Sequence, residues 1–151
     1  MNQYESLIAP EKIQYVNSLV DTTLQDVLTI ENQVEEVYGD RASLKKAITQ
    51  LDNDIKLTEA NAFMMIGPDN TVEIEGKKVK LSNGEMRDMY RRYVSADLRK
   101  QRAEKEADLA EIESKLALLK DKWDMTKSSA NLVEARAWAQ GHLLKFLSSK
   151  G

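Results

Sequence analysis

The chain contains no cysteine, one histidine, two prolines and six glycines. Without cysteine it forms no disulfide, thiolate nucleophile or zinc-thiolate site, and His142 alone offers little acid-base chemistry near neutral pH. Its longest unbroken apolar run, Ala62 to Ile66, is far shorter than the roughly 20 residues of a membrane-spanning helix. Residues 1–10 include Glu5 and no basic residue, unlike a signal peptide. We therefore expect a cytoplasmic protein that uses no cofactor and does not enter a membrane.

Helix-breaking residues are concentrated in one place. Three glycines and one proline fall within residues 67–84, and the flanking sequence is rich in Leu, Ala, Glu, Lys, Gln and Arg, which favour helix. This organisation predicts a mainly α-helical single domain, residues 1–151, with a long helical hairpin (coiled coil) and a small β-hairpin between its two arms. The predicted segments are a first helical arm at 11–66, a β-hairpin at 70–82, a second helical arm at 84–127 and a C-terminal helical segment at 130–149.

The first arm has an apolar seam with a period of 3.5 residues. Thirteen of its 16 seam positions are apolar, against 42% for the whole chain. Because the phase does not change at Gly39, the pattern favours one continuous helix, although a break there, with Asp40 capping a second helix, stays open. Arg41 falls within the seam and is the residue best suited to exclude other registers, because burying an unpaired charge is costly. The seam residues are Ile13, Val16, Val20, Thr23, Val27, Ile30, Val34, Val37, Arg41, Leu44, Ile48, Leu51, Ile55, Thr58, Ala62 and Met65.

The second arm has a less regular pattern. Its apolar residues upstream of Ala107 follow a different phase from those after Leu109, which predicts a slip of the stripe between these two residues. Ser128-Ser129 is a candidate helix end, with Asn131 and Glu134 opening a last helix. The upstream row is Met89, Tyr93, Ala96, Ala103 and Ala107, and the downstream row is Leu109, Ile112, Leu116, Leu119, Trp123, Thr126, Ala130, Val133, Ala137, Gln140, Leu144 and Leu147.

Residues 70–82 read as two antiparallel strands. A two-residue turn at Gly76-Lys77 pairs apolar residues on one face and opposite charges on the other. The predicted partners are Glu75 with Lys78, Ile74 with Val79, Glu73 with Lys80, and Val72 with Leu81.

The arms predict self-association, because two amphipathic helices alone bury a thin core. A homo-oligomer, a dimer or higher, whose seams form a four-helix section satisfies the pattern.

Charge is spread unevenly along the chain. Residues 1–40 hold eight acidic residues and one basic residue, whereas residues 86–105 hold seven basic and three acidic residues. The basic stretch also contains tyrosines, a combination that single-stranded nucleic acid uses for phosphate contact and base stacking, although a solvated helix face has the same composition. Tyr90 does not fit the upstream seam phase, so it is the tyrosine expected to be exposed. The candidate residues for binding nucleic acid or a partner are Arg87, Tyr90, Arg91, Arg92, Arg99, Lys100 and Arg102.

Four methionines flank the β-hairpin, at 64, 65, 86 and 89. Methionine-rich surfaces bind varied apolar partners, but methionine also fills irregular cores. Core filling is the favoured interpretation at this position.

Catalytic patterns are missing from the sequence. Three residues before His142 stands Ala139, which rules out a helical Glu-x-x-His motif. A phosphate-binding loop requires glycine five residues before Gly76, where Thr71 stands. We expect no enzyme, no catalytic residue and no metal site.

The order helix, β-hairpin, helix, with Ile66-Gly67-Pro68 entering the turn, resembles the β-type prefoldin subunits over about Val34 to Trp123. That resemblance implies a chaperone that holds unfolded proteins, built as a hexamer through its β-hairpins. The segment after Ser128 departs from the prefoldin pattern.

A second resemblance is carried by Glu85-Met86-Arg87-Asp88, by the run from Ala103 to Leu109 and by Leu143-Leu144-Lys145-Phe146-Leu147. These segments are similar to small coiled-coil accessory proteins of bacteriophages and prophages. The resemblance implies a non-enzymatic accessory protein or inhibitor in the host cytoplasm that binds a partner in DNA recombination or host defence. The alternatives are a prefoldin-like holdase and a direct binder of single-stranded nucleic acid.

Overall fold

A computed structural model describes residues 8–150. The elements, in chain order, are helix α1 (Pro10–Met64), strands β1 (Thr71–Ile74) and β2 (Lys77–Lys80), helix α2 (Gly84–Val94) and helix α3 (Ala96–Lys150). The predicted mainly α-helical class, with a β-hairpin between two long helices, is confirmed. The expectation that residues 1–10 form no signal peptide falls mostly on residues 1–7, outside the described residues. Over the described range, no helix is both long and apolar enough to cross a membrane.

Helix α1 is continuous through Gly39, as the unbroken heptad phase favours. It starts at Pro10, where the missing N–H of proline costs no hydrogen bond. Of the 16 predicted seam residues, 15 are buried or half-buried, and only Met65, beyond the helix end, is exposed. The heptad pattern thus identifies the packed face of the whole helix.

The chain divides into two compact units. Unit 1 consists of the described parts of residues 1–38 and 114–151, and unit 2 of residues 39–113. In unit 1, the Arg136 guanidinium lies 5.3 Å from the centre of the Tyr15 ring, and Ile30 shares a groove with Thr126. Position numbers rise along α1 as they fall along α3, so the two helices are antiparallel in this unit.

Unit 2 has the same antiparallel arrangement. Arg41 Nε lies 2.6 Å from Glu113 Oε1, and Arg99 Nη2 lies 2.6 Å from Glu59 Oε1. Arg41 therefore occupies the seam with a carboxylate partner, which offsets the cost of placing its charge there.

The second arm differs from its prediction in two ways. Helix α3 continues through Ser128-Ser129, and the break lies at Ser95, between α2 and α3. Half-buried Thr126 and Ala130 lie on either side of the two serines, so packing of the seam outweighs the weak helix preference of serine.

The predicted slip between Ala107 and Leu109 is also wrong. The seam continues upstream from Leu109 through Arg102 and Leu98, which are half-buried, to Ser95. An arginine whose stem packs in the seam, with its guanidinium paired to Asp52, conceals this phase in the sequence. The residues predicted for the upstream row, Met89, Tyr93, Ala96, Ala103 and Ala107, are all exposed.

The β-hairpin forms, but its turn is at Glu75-Gly76 and not at Gly76-Lys77. Glu75 has φ 49° and Gly76 has φ 79°, the positive values that a type I′ turn requires at both central positions. The strand partners are consequently Thr71 with Lys80, Val72 with Val79, Glu73 with Lys78, and Ile74 with Lys77. The predicted pairs are wrong by two residues, and a shift of two keeps every side chain on its predicted face.

Candidate functional site

The β-hairpin and α2 together form an apolar groove in unit 2, which we call the hairpin-end groove. Leu81 N–H donates to the Asn70 carbonyl at 2.7 Å and extends the strand pairing beyond β2. The Asn83 side chain then caps α2 by accepting from Met86 N–H at 2.9 Å, which satisfies one of the free donors at the helix start. The groove has a volume of about 230 Å³ and is lined by Ile74, Val79, Leu81, Met86, Met89, Tyr90 and Tyr93.

The groove has a buried base and an exposed rim. Leu81 is 1% exposed, whereas Met89 is 66% and Tyr93 49% exposed. Met64 and Met65, at the end of α1, are also exposed. Of the four methionines that flank the β-hairpin, only Met86 is half-buried, so the favoured interpretation as core residues is wrong for the other three.

A polar cluster surrounds the carboxylate of Glu59, whose side chain is 14% exposed. The Ser95 hydroxyl, which is fully buried, lies 2.9 Å from Glu59 Oε1 and 2.9 Å from the Arg91 carbonyl, and it donates to one of them at a time. It also accepts from Arg99 Nε at 2.8 Å. Burial raises the pKa of the Glu59 carboxyl, but hydrogen bonds from Arg99 and Ser95 and the charges of Arg99 and Arg91 outweigh it, so the pKa lies below its ordinary value.

This cluster engages two of the predicted site residues, Arg91 and Arg99. Besides its place 3.9 Å from Glu59, the Arg91 guanidinium contacts Asp88 at 3.3 Å and lies 5.3 Å from the centre of the Phe63 ring. A third predicted residue, Arg102, pairs with Asp52 and with Glu106. Hydrogen bonding to Asp52 raises the pKa of Arg102. These three arginines form ion pairs from α2 or α3 to carboxylates of α1 within unit 2.

The remaining predicted site residues divide into two groups. Tyr90 is half-buried as part of the groove, and Tyr93 is exposed, which is the reverse of the prediction. Arg87, Arg92 and Lys100 are exposed and form no ion pair with another described residue. Of the seven candidates, three arginines therefore pair with carboxylates, three cations have no described ion pair, and Tyr90 lines the groove.

The sequence pointed to the methionines at the hairpin end but did not identify the groove itself, and it missed the pairing of Ser95 with Glu59. The two residues are 36 positions apart, and no periodic pattern marks a serine that ends one helix and bonds to another. The signal for the groove was present in Met86 and Tyr90, whose spacing of four places both on one face of α2. Within the described part of the chain, no group of three His, Asp or Glu residues is placed to hold a metal ion.

No protein-family model, curated protein or solved structure matches this chain.

Proposed function

We propose that this chain is a non-enzymatic interaction protein that binds a protein partner through the hairpin-end groove. The observation that carries the proposal is the exposed pair Met89 and Tyr93 above the buried base formed by Leu81. Tyrosine provides a rigid anchor at protein interfaces, and methionine adapts to apolar side chains of different shapes. A fixed base with such a rim suits a short apolar segment of another protein.

The charges near the groove favour a partner segment with acidic flanks. Lys77 lies directly opposite Ile74 in the strand pair and therefore shares the apolar face. Arg87 and Arg92, on α2, are exposed without an ion pair to another described residue. Carboxylates beside an apolar anchor would complement these cations and increase the rate of association.

A protein partner explains the surface better than single-stranded nucleic acid does. Nucleic-acid binding of that kind needs basic side chains beside free aromatic faces. Arg91, Arg99 and Arg102 are paired with carboxylates of unit 2, and Tyr90 lines the groove. Only Arg87, Arg92 and Lys100, with the exposed Tyr93, remain of the predicted basic and aromatic surface.

The biological setting of this proposal comes from the sequence. The resemblance to phage and prophage coiled-coil proteins favours an accessory or inhibitory role in the host cytoplasm, with a partner from DNA recombination or host defence. A holdase like prefoldin is the second candidate. The exposed methionines at positions 64, 65 and 89 favour it, because a methionine-rich end accepts varied unfolded segments.

Photocrosslinking in the host cell tests the proposal. A photoreactive amino acid at Met89 should capture one discrete protein, and the same group at Leu57, which is 62% exposed, should not. The captured protein, once purified, should bind the wild-type chain and Leu57→Glu but bind Met89→Glu at least tenfold more weakly. Far-UV circular dichroism checks that both variants fold.

Three other results overturn the proposal. Equal binding by Met89→Glu and the wild type excludes the groove. Capture of many proteins, together with suppression of aggregation that Met89→Glu loses, makes the chain a holdase. A salt-sensitive shift of single-stranded DNA, abolished by Arg87→Glu with Arg92→Glu but kept by Met89→Glu, makes it a nucleic-acid binder.

A further inference from the structure

A second apolar stripe lies on α3 in unit 1, outside the packed seam. It consists of residues that immediately precede seam residues, and we call it the α3 stripe. Leu118, Met125 and Leu132 recur every seven residues, and each exposes more than half of its surface. A heptad row outside an occupied seam is typical of a helix that packs against a second neighbour. The same row contains the cations Lys115, Lys122 and Arg136 and, from 115 to 146, no acidic residue.

Helix α1 carries a stripe with the opposite charge. It consists of residues that immediately follow seam residues between positions 14 and 38, and we call it the α1 stripe. Its apolar members, Leu24, Leu28 and Tyr38, expose half of their surface or more. Its charged members are Asp21, Glu31 and Glu35, and it contains no basic residue.

The two stripes lie on opposite sides of the helix pair in unit 1. A groove brings Asp26 and Thr29 of α1 together with Lys122 and Met125 of α3. All four immediately precede seam residues, so the preceding rows of the two antiparallel helices share one side. Arg136 and Tyr15, which also precede seam residues, are in contact on that side. The α3 stripe belongs to this side, and the α1 stripe, a following row, belongs to the other.

We propose that a second copy of this chain covers the α3 stripe with its α1 stripe. If the two helices take the antiparallel stagger that Ile30 and Thr126 share within one chain, Lys122 lies beside Glu31 and Glu35 of the second copy. Arg136 lies near its Asp21, and Leu132 near its Leu24. Lys122 and Arg136 then face a stripe whose only charged members are carboxylates, and the apolar side chains are buried between the two helices.

This interface joins two different surfaces. Because the stripes lie on opposite sides, each copy that joins leaves one stripe of each kind open at the ends of the assembly. Such a contact produces a ring or a filament and does not stop at a dimer.

Charge reversal in the full-length chain tests the complementarity. Light scattering of the wild type should detect species larger than a dimer, and the set Asp21→Lys, Glu31→Lys and Glu35→Lys should reduce them to monomer. Lys122→Glu with Arg136→Glu should do the same. All five substitutions in one chain should restore the large species, because the charges that face each other on the two stripes are then exchanged.

A mixing experiment tests the two-surface geometry. Leu24→Lys with Leu28→Lys disables only the α1 stripe, and Met125→Lys with Leu132→Lys disables only the α3 stripe. Each folded variant alone should be a monomer, and an equal mixture should form a dimer of one copy of each, since one intact interface remains. A monomeric wild type, or a mixture that stays monomeric, overturns the proposal. Circular dichroism of each variant excludes unfolding as the cause.

Discussion

The buried hydroxyl of Ser95, at the break between α2 and α3, lies 2.9 Å from the Glu59 carboxylate on α1. Arg99, one turn further along α3, reaches the same carboxylate oxygen at 2.6 Å. One acidic residue thus joins the start of α3 to the opposite helix. Ser95 is also the C-terminal cap of α2, so this junction lies directly beside the helix that carries the exposed rim of the hairpin-end groove.

We expect Glu59 to make stability depend on pH. Its carboxyl has a lower pKa in the folded chain than in the unfolded chain. The unfolded state therefore binds more protons in the acid range. The stabilisation is complete above the unfolded pKa and is lost as pH falls through the lowered folded pKa. Urea unfolding at a series of pH values should show Glu59→Gln to be less stable at neutral pH and to lose less stability in acid. Glu104→Gln, an exposed carboxylate on α3, should behave like the wild type.

Leu81 and Met89 line the same groove but should differ in their effect on stability. Leu81→Ala removes a buried side chain and should lower the free energy of unfolding by about 2–4 kcal/mol. Met89→Ala removes an exposed side chain and should change it by less than about 0.5 kcal/mol. Urea unfolding compares them. Equal losses would show that Met89 supports the fold, and would remove it as a partner contact.

Two glycine substitutions should have opposite signs. Gly76 has φ 79°, so Gly76→Ala forces a left-handed backbone on alanine and should cost about 1–2 kcal/mol. Gly39 lies within α1, where an added Cβ meets nothing within 4 Å. Gly39→Ala should therefore stabilise the chain by about 0.5–1 kcal/mol. Thermal unfolding would contradict the type I′ turn if Gly76→Ala were neutral.

Arg41 and Glu113 should be energetically coupled. Arg41→Glu places two carboxylates together and should destabilise the chain, and adding Glu113→Arg should restore the attraction. The four chains form a double-mutant cycle with an expected coupling of about 0.5–1 kcal/mol for a partly exposed pair. A coupling of zero would remove the pair as a determinant of helix register.

The sequence predicts the face of α1 well because one regular repeat extends over its whole length. Val16, Ile30, Val37 and Ile55, all on the predicted seam, are among its buried residues. The same reasoning fails where a polar residue occupies the packed face. Arg102 takes a seam position on α3, so the apolar residues around it suggest a false phase.

The turn and the helix break depend on information that periodicity does not contain. Gly76 predicted a turn, but its place as the second central residue follows from Glu75 accepting a positive φ. Ser95 ends α2 in the company of Glu59 and Arg99, which are distant in sequence or in the following helix. The exposed rim at Tyr93 depends on that break, so its exposure was not predictable from the helical pattern.

The antiparallel pairing of unit 2 also sets an order in which its contacts become affordable to the chain. Ser95 and Glu59 are 36 residues apart, Arg102 and Asp52 are 50, and Arg41 and Glu113 are 72. Once the shortest of these loops has closed, each further pair adds only a small increment of closure entropy. We expect unit 2 to zip from the β-hairpin outward, so that its nucleus is the segment that also carries the groove.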